Sequence, residues 1–175
     1  SNLSNASTKK VDFGSLRTII FPDQSPAQIL NGYAKGSMPD EYTGGVGKEG
    51  VENLKKFVEA GGTLVFMNRS SNFAIEQFNL PVKDVTRGLA RKDFYIPGSI
   101  LRTELTMSHP LTKGMPEQSI AWFESGPVFE IGGVPVDKAI AFKDVGVNII
   151  ASYPTDPSKI LLSGWALGAE KIAGK

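Results

Sequence analysis

The 175-residue chain contains no cysteine, which excludes disulfide frameworks, thiolate zinc sites, iron–sulfur clusters and cysteine nucleophiles. Histidine occurs once, as His109, so the chain cannot assemble a multi-histidine metal site. Carboxylate-only sites for magnesium or calcium stay open in principle, but the D-x-D-x-D-G spacing is missing. Apolar runs end after about five residues, far below the roughly 18–20 needed to cross a bilayer, so no membrane span is encoded. The first residues lack the apolar segment of a signal peptide. No sign of charge dominates: 19 basic against 18 acidic residues leave +1. Binding driven by the phosphate backbone of a nucleic acid needs a basic footprint that this balance does not supply.

With 41% apolar and 21% charged side chains, the composition is that of one globular domain with one core. Nineteen glycines and eleven prolines make the chain rich in turns, but below the roughly 25–30% Gly plus Pro of disordered sequences. Ser1-Asn2-Leu3-Ser4-Asn5-Ala6 reads as tag or linker. Residues 1–12 are therefore set aside as disordered or extended, and 13–175 are taken as the domain.

Leu16-Arg17-Thr18-Ile19-Ile20-Phe21, stopped by Pro22-Asp23, has the pattern of a buried first strand. Residues 22–47 read mostly as loop, with a short helical turn around Pro26 to Leu30. From Lys48 to Ala60, Val51, Leu54, Phe57 and Val58 recur at helical spacing, with charged residues between them. Gly61-Gly62 supplies the left-handed cap that ends such a helix. Thr63-Leu64-Val65-Phe66-Met67 follows as a continuously apolar strand of the kind found inside parallel sheets. Asn68-Arg69-Ser70-Ser71 then turns into a second helix carrying Phe73, Ala74, Ile75 and Phe78. Beyond Leu80-Pro81 the texture becomes short runs, at 99–106, 119–123, 128–131, 138–142, 147–153 and 160–163, that read as strands joined by Gly/Pro turns. The expected fold is α/β: a flavodoxin-like parallel sheet with helices on both faces and a β-rich antiparallel extension.

The sharpest local feature is the strand-to-helix elbow at 67–71, because ligands of doubly wound sheets bind outside the carboxyl ends of the strands. Asn68, Arg69 and Ser70, with Gly44 and Gly45, form the candidate ligand-binding set for an anion or a sugar, with Arg69 offering a bidentate contact. In the plainer reading, Asn68 or Ser70 caps the helix and Arg69 is solvated. Tyr42-Thr43-Gly44-Gly45-Val46-Gly47 lacks the Lys-Ser/Thr of a phosphate loop, so its glycines are expected to let the loop turn and bring backbone N–H groups toward the elbow. Ser70 as a nucleophile would need a base, and His109 stands in Ser108-His109-Pro110, a turn or strand-end setting. Asp93, Glu124, Glu130 and Asp144 are scattered acids with no evident pairing. Phe94, Tyr95, Trp122, Phe123 and Phe129 are expected mostly in the core.

Thr43-Gly44-Gly45 and the stretch from Gly50 through Gly61-Gly62-Thr63-Leu64-Val65 resemble the class I glutamine amidotransferase-like fold. Where the enzymes of that fold carry the elbow cysteine, this chain has Asn68, and Ser70 holds the small-residue position two places later. A closer resemblance runs over nearly the whole chain. Ala74 to Val82, Pro97-Gly98-Ser99-Ile100-Leu101-Arg102, His109-Pro110-Leu111-Thr112-Lys113-Gly114-Met115-Pro116, and Ser163-Gly164-Trp165 through Ile172-Ala173-Gly174-Lys175 look like the C-terminal amidotransferase-like domain of bacterial zinc carboxypeptidases.

That resemblance implies a non-catalytic accessory domain of a secreted or periplasmic metallopeptidase. Its partner would be the upstream carboxypeptidase domain, which would hold the zinc, and this part would carry no cofactor and no catalytic residue. It also implies that the family domain continues past Lys175 with another strand and a last helix. His109 to Gly114 is similar to trehalose-utilisation-type amidotransferase-like domains as well, an alternative beside the small-ligand module.

Overall fold

A computed structural model of the protein describes residues 13–80, 82–95, 97–105, 107, 113–124 and 126–131, and the backbone of 147–152 and 159–166. A 3-10 turn at Phe13–Ser15 leads into β1, Thr18–Phe21. Pro26, pre-set for the first turn of a helix, opens the short α1, Pro26–Asn31, with Ser25 capping it through Oγ to the Gln28 N–H. After a loop containing the 3-10 turn Asp40–Tyr42, α2 runs from Gly47 to Glu59. It ends in a Schellman arrangement in which Gly61 takes φ +95°, and the N–H groups of Gly61 and Gly62 donate to the carbonyls of Val58 and Phe57. β2 is Thr63–Phe66 and α3 is Ser70–Gln77. The same closure ends α3, with Asn79 at φ +50° and the Leu80 N–H on the Ile75 carbonyl.

The strands β3 (Val82–Asp84), β4 (Ser99–Glu104), β5 (Gln118–Phe123), β6 (Val128–Ile131), β7 (Val147–Ser152) and β8 (Lys159–Ala166) follow. They build a mixed sheet in the order β1-β2-β8-β6-β3, with β7 also alongside β8, and a separate β4–β5 ribbon. β1, β2 and β8 are mutually parallel, as are β6 and β8. β3 runs antiparallel to β6, and β7 to β8. The protein is therefore mixed α/β with an antiparallel portion. β2 ends where Phe66 pairs with Leu162, whereas β6 joins β8 only at Val128 and Trp165. β6 and β3 thus stand beyond the carboxyl edge of the β1–β2 pair.

Alternation decides which face is buried. Ile19, Phe21, Leu64 and Phe66 face a core shared with Ile29 of α1, Val51, Leu54, Phe57 and Val58 of α2, and Phe73 and Ala74 of α3. Phe21 and Phe66 stack at 4.6 Å, and Phe73 lies 6.0 Å from each of these two rings. Ile20, on the other face, is exposed and Val65 is half-buried. The apolar run 63–67 is thus sealed on alternate residues rather than on both faces, a correction to the expected fully buried strand. The described helices share the core of one sheet face, which departs at β1–β2 from helices on both faces.

The three-residue β3 falls below the length at which a sequence pattern separates from a turn. The expected strand at 138–142 lies outside the described residues, as do residues 1–12, His109 and Asp144.

Candidate elbow site

β1 and β2 are parallel neighbours in register, so the residues just past their carboxyl ends adjoin. The β1–β2 ladder continues one step through the Met67 N–H to the Phe21 carbonyl. Asn68 then reverses the chain with φ +54°, a left-handed conformation that asparagine adopts more readily than most residues with a side chain. Successive N–H groups of Ser70, Ser71 and Asn72 bond back to the carbonyls of Met67, Asn68 and Arg69, so the turn passes directly into α3.

The first free donor of this turn is closed by Asp23, from the loop after β1. Its Oδ1 accepts from the Arg69 backbone N–H at 3.1 Å and from Nε at 2.9 Å, and Oδ2 accepts from an Arg69 terminal nitrogen at 3.0 Å. The Arg69 guanidinium, bonded to Asp23, holds that carboxyl below its ordinary range, with its backbone N–H and the Asn68 side chain adding to the effect against the cost of partial burial. The Arg69 guanidinium is correspondingly pushed up by the Asp23 carboxylate. The position that an anionic ligand would take at this helix start is occupied by the chain's own carboxylate.

Neither Asn68 nor Ser70 caps α3, which corrects the capping reading: Arg69 is the N-cap residue and no side chain of its own turn closes it. Ser70 points inward. Its fully buried hydroxyl donates to the carbonyls of Met67 at 2.8 Å and Phe21 at 3.2 Å. Ser71 is buried likewise, on the Phe66 carbonyl. Ser70 therefore pins the elbow to β1 instead of presenting an oxygen at its mouth.

Gly44 and Gly45 are explained by packing against α1. The Gly44 N–H donates to the Tyr33 carbonyl at 3.0 Å, and a Cβ on Gly45 would fall on the Leu30 carbonyl. The Gly44 N–H is thus spent inside the loop and is not offered to the elbow, as the sequence had suggested it would be.

Above the elbow, a Cβ on Gly126 would stand 2.5 Å from Asn68 Oδ1, so the turn before β6 closes down on Asn68. Asp84, at the end of β3, holds that extension in place. It accepts from Asn72 of α3 at 2.8 Å, from the Thr86 N–H and hydroxyl at 3.0 and 2.7 Å, and from the Val128 N–H at 3.3 Å.

Asp23 and Asp84 were not singled out in the sequence. The usable signal for Asp23 was an acid two residues past the end of a strand whose parallel neighbour is followed, three residues past its own end, by an arginine.

Compared with protein-family models, curated proteins and solved structures, the chain matches none. Among the described residues no three of His, Asp and Glu gather into a metal-holding group, and no helix is long and apolar enough to cross a membrane. A cavity of about 210 Å³ opens at the opposite end of the strands, lined by Phe13, Leu16, Arg17, Phe57 and Gly62 among others. It lies at the amino edge, away from the elbow, where parallel sheets do not ordinarily place chemistry. Of the aromatic residues expected in the core, Phe123 and Phe129 are buried, whereas Tyr95 and Trp122 are exposed. Tyr95 stacks under the Arg91 guanidinium at 3.9 Å. Trp122 lies on the outward face of the β4–β5 ribbon.

Proposed function

We propose that this chain is a non-catalytic accessory domain, flavodoxin-like with a β-rich extension, belonging to a secreted or periplasmic zinc carboxypeptidase. The association with such a peptidase rests on the motif blocks from Ala74 to Lys175. The observation that carries the non-catalytic reading is the elbow itself. Asn68 stands at the nucleophile position, Ser70 is turned into the core, and Arg69 is clamped by Asp23. An amide is not a nucleophile for acyl transfer, and a buried hydroxyl bonded to two backbone carbonyls has no base to activate it.

The same clamp weighs against an anion-binding module, because a ligand would have to displace a carboxylate already bonded at three points. The zinc and the peptidase chemistry belong, on this reading, to the catalytic domain of the parent chain.

The test is calorimetric titration of this chain into the separately expressed catalytic domain, with peptidase rates recorded with and without it. Binding accompanied by a changed rate is expected. Hydrolysis of glutamine or of peptides by this chain alone, lost in Asn68→Ala, would overturn the proposal. Thermal-shift scans with phosphate, acetate and glucose should show no stabilisation; a bound ligand at 100 times its dissociation constant would add about 2.7 kcal/mol and would revive the ligand-module reading.

A further inference from the structure

Asparagine is followed by glycine at one place in the chain, Asn31-Gly32. Asparagine is a thermolabile residue, and a glycine nitrogen, with no neighbouring Cβ to shield it, attacks the asparagine Cγ most readily. The pair stands at the end of α1. Asn31 is the last helical residue and is exposed, and Gly32 is the C-cap at φ +66°. The nitrogen that would attack is engaged: the Gly32 N–H donates to the Gln28 carbonyl at 2.8 Å, back along the helix. It reaches Asn31 Cγ only when Asn31 leaves its helical conformation and that bond breaks. The loop before α2 presses on the same turn. A Cβ on Gly32 would fall on the Gly44 carbonyl, one on Gly45 would fall on the Leu30 carbonyl, and the Val46 N–H donates to the Ile29 carbonyl at 2.9 Å.

We propose that Asn31 is a site of spontaneous deamidation gated by opening of the end of α1, and that its isoaspartyl product cannot rebuild the packing of α1 on the Gly44-Gly45 loop. The Gly32 nitrogen forms a bond to Asn31 Cγ and gives up its proton as the side-chain nitrogen leaves as ammonia, which closes a cyclic succinimide. Water then adds to either of its carbonyls. Addition at Cγ breaks the new bond and restores the ordinary backbone, with a carboxylate in place of the amide. Addition at the main-chain carbonyl breaks the original Asn31–Gly32 peptide bond and leaves the chain running through Cβ and Cγ, an atom longer than before. Water is the only other reactant.

The extra backbone atom falls where there is no room for it. Gly32 lies so close to the Gly44 backbone that not even a Cβ fits between them, and close-packed backbone does not step aside. The isoaspartyl chain loses the Gly32–Gln28 hydrogen bond and the approach of Gly32 to Gly44 together, whereas the aspartyl chain keeps both. The gate is the local stability of a six-residue helix, supported by the Ser25 cap on the Gln28 N–H. Short elements of this kind open at a free energy below that of global unfolding. This site is independent of the accessory-domain reading.

Ageing the chain at neutral pH, in buffer and in concentrated urea, tests it. Cleavage after Arg17 and Lys35 releases residues 18–35, in which Asn31 is the one asparagine, and peptide mapping resolves its asparaginyl, aspartyl and isoaspartyl forms. The amide should be lost in both conditions, at least about tenfold more slowly in buffer, where the helix must first open. Ser25→Ala, checked for its fold by circular dichroism, should raise the rate in buffer about fivefold and leave the rate in urea unchanged. The deamidated pool, collected by ion exchange, should unfold in urea as two populations, one at the midpoint of Asn31→Asp, which carries the same charge on an ordinary backbone, and one below it. No loss of the amide in urea, equal rates in buffer and urea, or an unchanged rate in Ser25→Ala overturns the gated site. A pool containing the isoaspartyl form that unfolds entirely at the midpoint of Asn31→Asp overturns the loss of packing.

Discussion

Asp23 and Arg69 stand 46 residues apart in the chain and meet through three hydrogen bonds just past the ends of β1 and β2. Each strand end alone would leave a solvated charge. Together they tie the first crossover to the start of α3. With side chains 42% and 55% exposed, the pair is screened by water and contributes about 0.5–1 kcal/mol.

Because the folded-state pKa of Asp23 is lowered, its contribution is present above the unfolded-state value of about 3.9 and is lost as pH falls through the folded value. Asp23→Asn should therefore lower the urea midpoint at pH 7 and at pH 5. The gap between wild type and variant should narrow as the pH falls below that unfolded-state value and on through the lowered folded one. A gap that is the same at pH 7 and at pH 2.5 would mean that the charge of Asp23 is not what stabilises the elbow.

Asn68 supplies a second test, through its backbone. At φ +54° a residue with a Cβ beyond Asn or Gly costs about 1–2 kcal/mol. Asn68→Gly should leave the melting temperature nearly unchanged or slightly raised, Asn68→Ala should be about 1 kcal/mol less stable, and Asn68→Val less stable again. The order Gly, Asn, Ala, Val in thermal melts is the expected outcome. Equal stability of the Gly and Ala variants would show that the left-handed turn is not held in solution.

The helix over 47–59, its double-glycine stop, the strand after it and the elbow were all legible in the sequence. Each is set by local physics: 3.6-residue periodicity in Val51, Leu54, Phe57 and Val58, a left-handed Gly61, and the continuously apolar run from Leu64 to Met67. What the elbow does was not legible, because it depends on a partner far off in sequence. Asp23 reaches Arg69 only through the parallel register of β1 and β2, and Asp84 reaches Asn72 only after β3 has joined β6. Trp122 was misplaced for a related reason. Alternation fixes that Trp122 and Phe123 face opposite ways, but which of the two faces inward depends on what the ribbon packs against.

The glycines of the loop before α2 divide into two kinds that mutagenesis should separate. Gly36 takes φ +86° with open space around the position of a Cβ, so Gly36→Ala should cost only the conformational penalty, about 1 kcal/mol. At Gly45 the backbone conformation is ordinary, but a Cβ would fall on the Leu30 carbonyl at the end of α1. Backbone cannot step aside as a flexible side chain can, so Gly45→Ala should cost more than about 2 kcal/mol. Chemical denaturation of the two variants checks this. If Gly45→Ala were the milder change, the close approach of the loop to α1 would be wrong.

Asp84 joins the antiparallel extension to the parallel core, since its carboxylate accepts from α3 through Asn72 and from β6 through the Val128 N–H. Removing it leaves the Asn72 amide, the Thr86 N–H and hydroxyl and the Val128 N–H short of a partner at once. Asp84→Ala should therefore cost about 2–3 kcal/mol, less than the sum of separate hydrogen bonds because water reaches this half-buried site. The loss should be local. Amides of β3 and β6 should exchange with solvent faster, while those of β2, sealed beneath Phe66 and Phe73, should keep their protection until the whole chain unfolds. Asp84→Asn retains an acceptor oxygen and should recover part of the loss. Uniform acceleration of exchange across β2 and β6 would instead mean that the extension and the core open as one unit, and that Asp84 is a core residue rather than a joint between the two.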